Sequence, residues 1–409
     1  MIAHDKKLLD NLFLTEEADS LKDGGFISKE QKKIIRNELP SFKIQNNILV
    51  RLGFFVLGAF LYLSICGVIA LMGLTGGSSE HYFFNICCYI FAIIGILGAE
   101  ILINNKCYRH GLDDAFILGI LLNIGAAVFI SAEYYYRQDF YSDDFDSGPN
   151  SYVEILTAIF VSIASFLTYR RYLHLLSILV FCISSTAVLF FGMFEVGTIG
   201  KTILPFVTML VSTGFYFFTR NRIKNLKESY YYNGLLLANS FCLILFYLSC
   251  NYLVVRELST QLLGTEIKPG TDIPLAFFFY AFTVVVPAVY LVQALKTKDR
   301  IMLWFSFLAI GFSIFTIRFY YSVLPIEIAL TLGGLVLFVI AYFSIKVLKE
   351  KESGLTFRPD RINHSENFLN TEALVIASTF GMEPEVKPSE SPMEFGDGGF
   401  SGGGSGGSF

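Results

Sequence analysis

Apolar residues run in long unbroken stretches along most of this chain, and polar residues are confined to its ends and to short gaps between the stretches. Ten runs stand out, near 52–74, 82–103, 115–132, 152–169, 173–194, 202–219, 230–253, 273–295, 301–319 and 325–346. A helix of about 20 mostly apolar residues crosses ~30 Å of hydrocarbon. In lipid the backbone must satisfy its own hydrogen bonds, so runs of this kind are helices; the alternating pattern of a membrane barrel is missing. The expected fold is all-α, a polytopic transmembrane helical bundle of ten spans.

Lys and Arg in the connections set the orientation. One set of loops holds Lys106, Arg109, Arg170, Arg171, Arg220, Arg222, Lys224, Lys227, Lys296, Lys298 and Arg300; the alternate set holds Arg137, Lys201, Arg256 and Lys268. The richer set belongs in the cytoplasm, which places both termini there. Three regions follow: a cytoplasmic helical hairpin over 1–50, a ten-helix transmembrane domain over 51–347, and a flexible, acidic, Gly-rich cytoplasmic tail over 348–409. The polar first 50 residues lack the apolar core of a cleavable signal, so the first span is expected to serve as the insertion signal.

Composition sharpens the class. Hydrophobic residues make up 54% of the 409 and charged residues only 16%, against roughly a quarter charged in a soluble chain. Such a chain is neither disordered nor a disulfide-stapled secreted scaffold. A net charge of −4 argues against nucleic acid as a partner; the lipid bilayer is the expected one. Cys66, Cys87, Cys88, Cys107, Cys182, Cys242 and Cys250 show no CxxC or metal-ligand spacing and read as packing residues.

In the N-terminal region, Leu8, Leu9, Leu12 and Leu14 fit one helical face, and Asp23-Gly24-Gly25 breaks that helix. Ser28 and Gln31 form a capping-box pattern for a second helix, which Pro40 stops. The pair is either a docking module or a solvated hairpin packed on its own loops. The segment Lys22-Asp23-Gly24-Gly25-Phe26-Ile27-Ser28-Lys29-Glu30-Gln31, with the glycine-spaced first span behind it, resembles a bacterial family of predicted multi-pass inner-membrane proteins. Members have a short N-terminal helical domain and unknown function. The resemblance implies the bacterial cytoplasmic (inner) membrane and no particular activity.

The last 63 residues hold five Lys or Arg against ten Asp or Glu, and eight of the final fourteen are Gly. Phe395, Phe400 and Phe409 punctuate this glycine run. It is similar to the Gly-rich tails of membrane proteins with a TPM domain, although that domain is absent. Either a partner reads the tail through its Phe side chains, or the tail is passive or an artificial linker.

Candidate chemistry is sparse. The span interiors carry no ionisable side chain, which argues against ion-coupled transport. Near the outer interface stand Glu133, Glu154, Glu195, Arg318 and Glu327, either an acidic vestibule with an Arg318–Glu327 pair or ordinary interfacial charge. Asp143, Asp144 and Asp146 do not match an EF-hand, and His174 has no second ligand at metal spacing. Enzyme motifs are missing, and no cofactor or metal is expected. Ala115, Gly119, Asn123 and Ala127 recur every four residues, so Asn123 marks either a helix contact or a midplane pocket. Two functions remain open: a scaffold or accessory subunit of a membrane complex, with a protein partner at the hairpin or tail, and a carrier of small or lipid-like substrates built as a 5+5 inverted repeat.

Overall fold

The computed structural model describes residues 2–320 without 24–25, 46, 75–79, 141–150, 227, 264–271 and 298, and beyond Tyr320 only Thr331, Leu335, Phe338, Tyr342 and Lys346. Twelve α-helices are described: α1 (Lys6–Asp23), α2 (Lys29–Glu38), α3 (Ile48–Leu74), α4 (Glu80–Asn104), α5 (Leu112–Phe140), α6 (Ser151–Tyr172), α7 (Leu175–Glu195), α8 (Thr198–Lys224), α9 (Tyr232–Cys250), α10 (Tyr252–Leu263), α11 (Ala276–Thr297) and α12 (Arg300–Tyr320). Nine of these, α3 to α9 with α11 and α12, are long and apolar enough to cross a membrane. The tenth expected span, 325–346, lies outside the described residues except for the last five named, which are helical.

Large apolar side chains dominate the outward faces of the spans. Phe60, Leu63, Leu71 and Met72 of α3 are each about two-thirds or more exposed. In water so much exposed apolar surface would be a liability, whereas in a bilayer it is the face presented to hydrocarbon. Successive spans pack as hairpins: α4 on α5, α6 on α7, α8 on α9 and α11 on α12. The spans α3–α7 meet the later ones mainly where α7 touches α8 and α9.

Small residues allow the close approaches. A Cβ on Gly119 would lie 2.7 Å from the Tyr62 ring, and one on Gly95 2.8 Å from Ile120. Around these contacts Tyr62, Ala99, Phe116, Ile117 and Ile120 form a buried core between α3, α4 and α5. A second core joins α9, α11 and α12 through Leu243, Tyr247, Val286, Tyr290 and Ala309. All seven cysteines are free thiols.

The N-terminal hairpin sits on one end of the bundle. The capping box is present: the Gln31 N–H donates to Ser28 Oγ at 3.2 Å, and the Ser28 N–H to Gln31 Oε1 at 2.8 Å. Leu8, Leu9 and Phe42 are buried against Tyr108 and Leu173 of the bundle. Main-chain bonds fix the chain before α1 and after α2: Ala3 N–H to the Arg171 carbonyl and Lys43 N–H to the Lys106 carbonyl, each 2.9 Å. By contrast, α2 buries no residue, and Leu14 at the far side of α1 is half exposed.

One expected boundary is corrected. The run 230–253 is not a single span followed by a loop; α9 ends at Cys250, and a separate helix, α10, begins at Tyr252. Asn251 makes the break, because its Oδ1 accepts the N–H groups of Leu253 (3.0 Å) and Val254 (3.4 Å) as a cap.

Candidate functional site

At the hairpin end, four stretches of chain converge on Asp114. The loop from α4 to α5 turns tightly, with Lys106 and Arg109 in the left-handed region (φ 62° and 50°) and Gly111 at φ 104°. Glycine is required at 111: a Cβ there would lie 2.3 Å from the Arg51 carbonyl oxygen. Left-handed backbone costs roughly 1 kcal/mol or more per non-glycine residue. Asp113 offsets part of that by accepting the N–H groups of His110 and Gly111, both at 3.0 Å.

The next residue, Asp114, is buried. Arg51, in the first turn of α3, donates from Nε (2.8 Å) and Nη2 (2.5 Å) to Asp114 Oδ2. His174, in the two-residue connection from α6 to α7, places Nε2 3.3 Å from Asp114 Oδ1. Its Nδ1 is 2.9 Å from Ser177 Oγ. The preceding Leu173 is left-handed (φ 54°) and buried, which aims His174 inward. A carboxylate in the first turn of α5 also faces the positive end of that helix.

Around this core the hairpin adds further contacts. His4 Nε2 donates to the Tyr172 carbonyl at 3.2 Å, and its ring packs edge-on against Phe42 and Tyr108. Nδ1 of His4 is buried without a hydrogen-bond partner among the described residues. Burial therefore holds the imidazole neutral and lowers its pKa to about 4. Arg171 donates to Glu100 at 2.6 Å, and Tyr172 OH to the same oxygen at 3.0 Å. Burial, with Asp113 close by, pushes the Cys107 thiol up, which leaves it unreactive.

The space beside Arg51, Asp114 and His174 amounts to only ≈10 Å³, too little for more than about one water. Carboxylate and imidazole are present, but a substrate has nowhere to sit between them. The cluster is a clamp that fastens α3, α5 and the α6–α7 turn to one another, and the hairpin is attached beside it through His4 and Ala3. Among the described residues no group of three His, Cys, Asp or Glu could hold a metal ion.

A second polar network lies at the opposite end, where α9 gives way to α10. Fully buried Asn251 donates to Tyr247 OH (3.0 Å) and Thr316 Oγ1 (3.2 Å). Ser313 Oγ donates to the Thr283 carbonyl at 2.6 Å, and the Tyr252 N–H to Thr283 Oγ1 at 3.0 Å. Farther out, Tyr252 OH donates to Asp272 and Arg256 Nη1 to Tyr252 OH, each at 2.6 Å. Arg256 also lies over the Tyr320 ring, 4.8 Å from its centroid. These bonds seat α10 on α11 and α12.

The residues singled out from the sequence fall as follows. Asn123 donates to Tyr62 OH and to the Gly119 carbonyl, both at 2.9 Å, while Tyr62 OH donates to the Phe91 carbonyl at 2.8 Å. It thus stands at a contact of α5 with α3 and α4. Glu133 and Glu154 are partly exposed, and Glu195 is exposed at the end of α7. Arg318 is exposed on α12. Glu327, residues 143–146 and the tail with Phe395, Phe400 and Phe409 lie outside the described residues.

Sequence reasoning passed over Arg51, Asp113, Asp114 and Asn251, and it considered His174 only as a metal ligand. The usable signal was the Asp113-Asp114 doublet at the head of an apolar run, on the side otherwise rich in Lys and Arg. No family model, no curated protein and no solved structure matches this chain.

Proposed function

We propose that this integral membrane protein is a scaffold or accessory subunit of a membrane complex, held in the bacterial cytoplasmic membrane with its hairpin and both termini in the cytoplasm. The observation that carries it is the division of labour within the hairpin. Helix α1 is pinned to the bundle by buried leucines, whereas α2 is capped at both ends and buries nothing of its own. Its one described ion pair, Lys32 with Asp19 at 2.8 Å, ties it to α1, and a helix that is held in place yet leaves most of its surface open is a docking element. It presents Ile34 (57% exposed) flanked one turn away on either side by Glu30 and Glu38, while Lys29, Lys33 and Arg36 group on another side of the helix; the first face offers an apolar anchor and the second suits an acidic protein segment. The Phe-punctuated tail is a second handle on the same side. Support for the orientation comes from the bias of Lys and Arg toward the hairpin end.

The test is a photo-crosslinker at Ile34 in the full chain, in native membranes. It is expected to trap one protein species in stoichiometric yield. Lys33→Glu with Arg36→Glu should remove that band without shifting thermal unfolding, and removal of 383–409 should weaken it. Crosslinks to lipid alone, or a band indifferent to both changes, would overturn the proposal.

A carrier built as a 5+5 inverted repeat is the second reading. It is favoured by the single seam at which α7 meets α8 and α9, where two halves would rock. Flux that survives loss of the tail and of the α2 charges would support it over the scaffold.

A further inference from the structure

The same seam contains a groove. Its larger part, ≈150 Å³, lies among Phe181, Leu189, Val211, Phe215, Phe241 and Leu245; the smaller part, ≈40 Å³, lies among Phe194, Pro205, Leu248 and Val255. Thr208 borders both, so they follow one another along α7, α8 and α9. We propose that this groove binds one long-chain lipid phosphate, its chain running down the seam and its head group at Lys201.

The wall chemistry selects a hydrocarbon chain. Hydroxyls along the groove are spent on their own helices or neighbours: Thr186 donates to the Cys182 carbonyl (2.8 Å), Thr208 to Leu204 (2.8 Å) and Ser212 to Met209 (3.0 Å), while Ser185 pairs with Ser162 (2.9 Å). A sugar or amino acid would find few donors or acceptors, whereas a polyprenyl or acyl chain needs none.

Length narrows the choice. From Phe181 to Phe194 the groove follows thirteen steps of α7, about 20 Å at the helical rise. Half the hydrocarbon thickness is only ~15 Å. A chain that fills the groove reaches past the midplane, farther than the tail of an ordinary neighbouring phospholipid.

Charge fixes the polarity of the occupant. Lys201 is the one charged side chain among the residues named as bordering either part. It stands in the first turn of α8, whose N-cap, Gly197, has no side chain to cap the helix. An ammonium beside the uncapped positive end of a helix favours an anion. Pro205 has no N–H for the Lys201 carbonyl four residues earlier, which loosens α8 where the groove opens. The site is independent of the docking helix, which lies at the other end of the bundle.

Native mass spectrometry of the full chain in detergent tests this with three probes: a long-chain polyprenyl phosphate, the matching polyprenyl alcohol, and a phosphatidic acid with ordinary acyl chains. One bound polyprenyl phosphate is expected, retained at collision energies that strip phosphatidic acid. Lys201→Gln should weaken the phosphate about five- to tenfold and leave the alcohol unchanged. Val211→Trp, on the lipid-facing lip, should block both polyprenyl probes. Equal retention of phosphatidic acid and polyprenyl phosphate, or binding insensitive to both substitutions, would overturn the proposal, and unchanged thermal unfolding of the variants keeps misfolding from being mistaken for lost binding.

Discussion

A carboxylate in the first turn of a buried helix gains from the helix dipole and loses its hydration, so it persists only with partners on its remaining side. For Asp114 those partners are Arg51 and His174, whose side chains are 33% and 3% exposed. Asp114→Asn is expected to destabilise the protein by about 2 kcal/mol, below the usual cost of breaking a fully buried pair because Arg51 retains some solvent. Thermal unfolding in detergent, followed by a thiol-reactive dye on the buried cysteines, reads this directly. Replacing both partners with Arg51→Met and Asp114→Leu should cost less than Asp114→Leu alone, since no unpaired guanidinium is left behind. An unshifted transition for Asp114→Asn would remove the clamp from the account.

Between helices, glycine marks where one span leans on another. A Cβ on Gly234 of α9 would fall 1.9 Å from the Tyr169 hydroxyl of α6, whereas one on Gly214 of α8 meets nothing within 4 Å. Gly234→Ala should therefore lose about 1–3 kcal/mol through overpacking. Gly214→Ala should be neutral or slightly stabilising by helix propensity. Equal melting of the two variants would contradict the packing of α6 on α9. At this scale much of the structure is written openly in the chain. Spans are legible because hydropathy integrates over some twenty residues, and the Ser28 cap because its spacing is local. The break at Asn251 is not, since one amide in an apolar run hardly moves an average; its cap on Leu253 and Val254 makes the terminus, and Thr316 and Tyr247 hold that amide in place. The Arg51–Asp114–His174 cluster is hidden for a related reason. Its members sit 63 and 60 residues apart, and each alone resembles an interfacial charge.

For the molecule as a whole, the attachment of the hairpin depends on pH through His4. Its pKa falls from 6.5 to about 4 on docking, so the undocked state binds the proton more readily between those values. Docking stability is then fully present above pH 6.5, declines as pH falls toward 4, and declines no further below it. The largest loss is on the order of 3 kcal/mol. Hydrogen exchange of α1 amides should quicken on going from pH 7 to pH 4.5, after correction for intrinsic rates, and His4→Phe should flatten that dependence. Exchange in α11 and α12 should stay constant over the same range. A pH profile for α1 unaltered by His4→Phe would assign the effect elsewhere.

The hydrogen bond between Ala3 and Arg171, described above as an anchor, also orders events in time. The two residues are separated by 168 positions, so the N-terminal segment leaves the ribosome on the order of ten to thirty seconds before its acceptor exists. In that interval Leu8 and Leu9 have Phe42 and then Tyr108 to pack on, but lack Leu173, which completes their cover. Their full burial becomes available only when α6 and the turn into α7 have entered the membrane with the correct end toward the hairpin. Closure of the N-terminus is thus a receipt for correct insertion, and a chain that threads α6 or α7 the wrong way keeps an apolar helix on view for proteolysis.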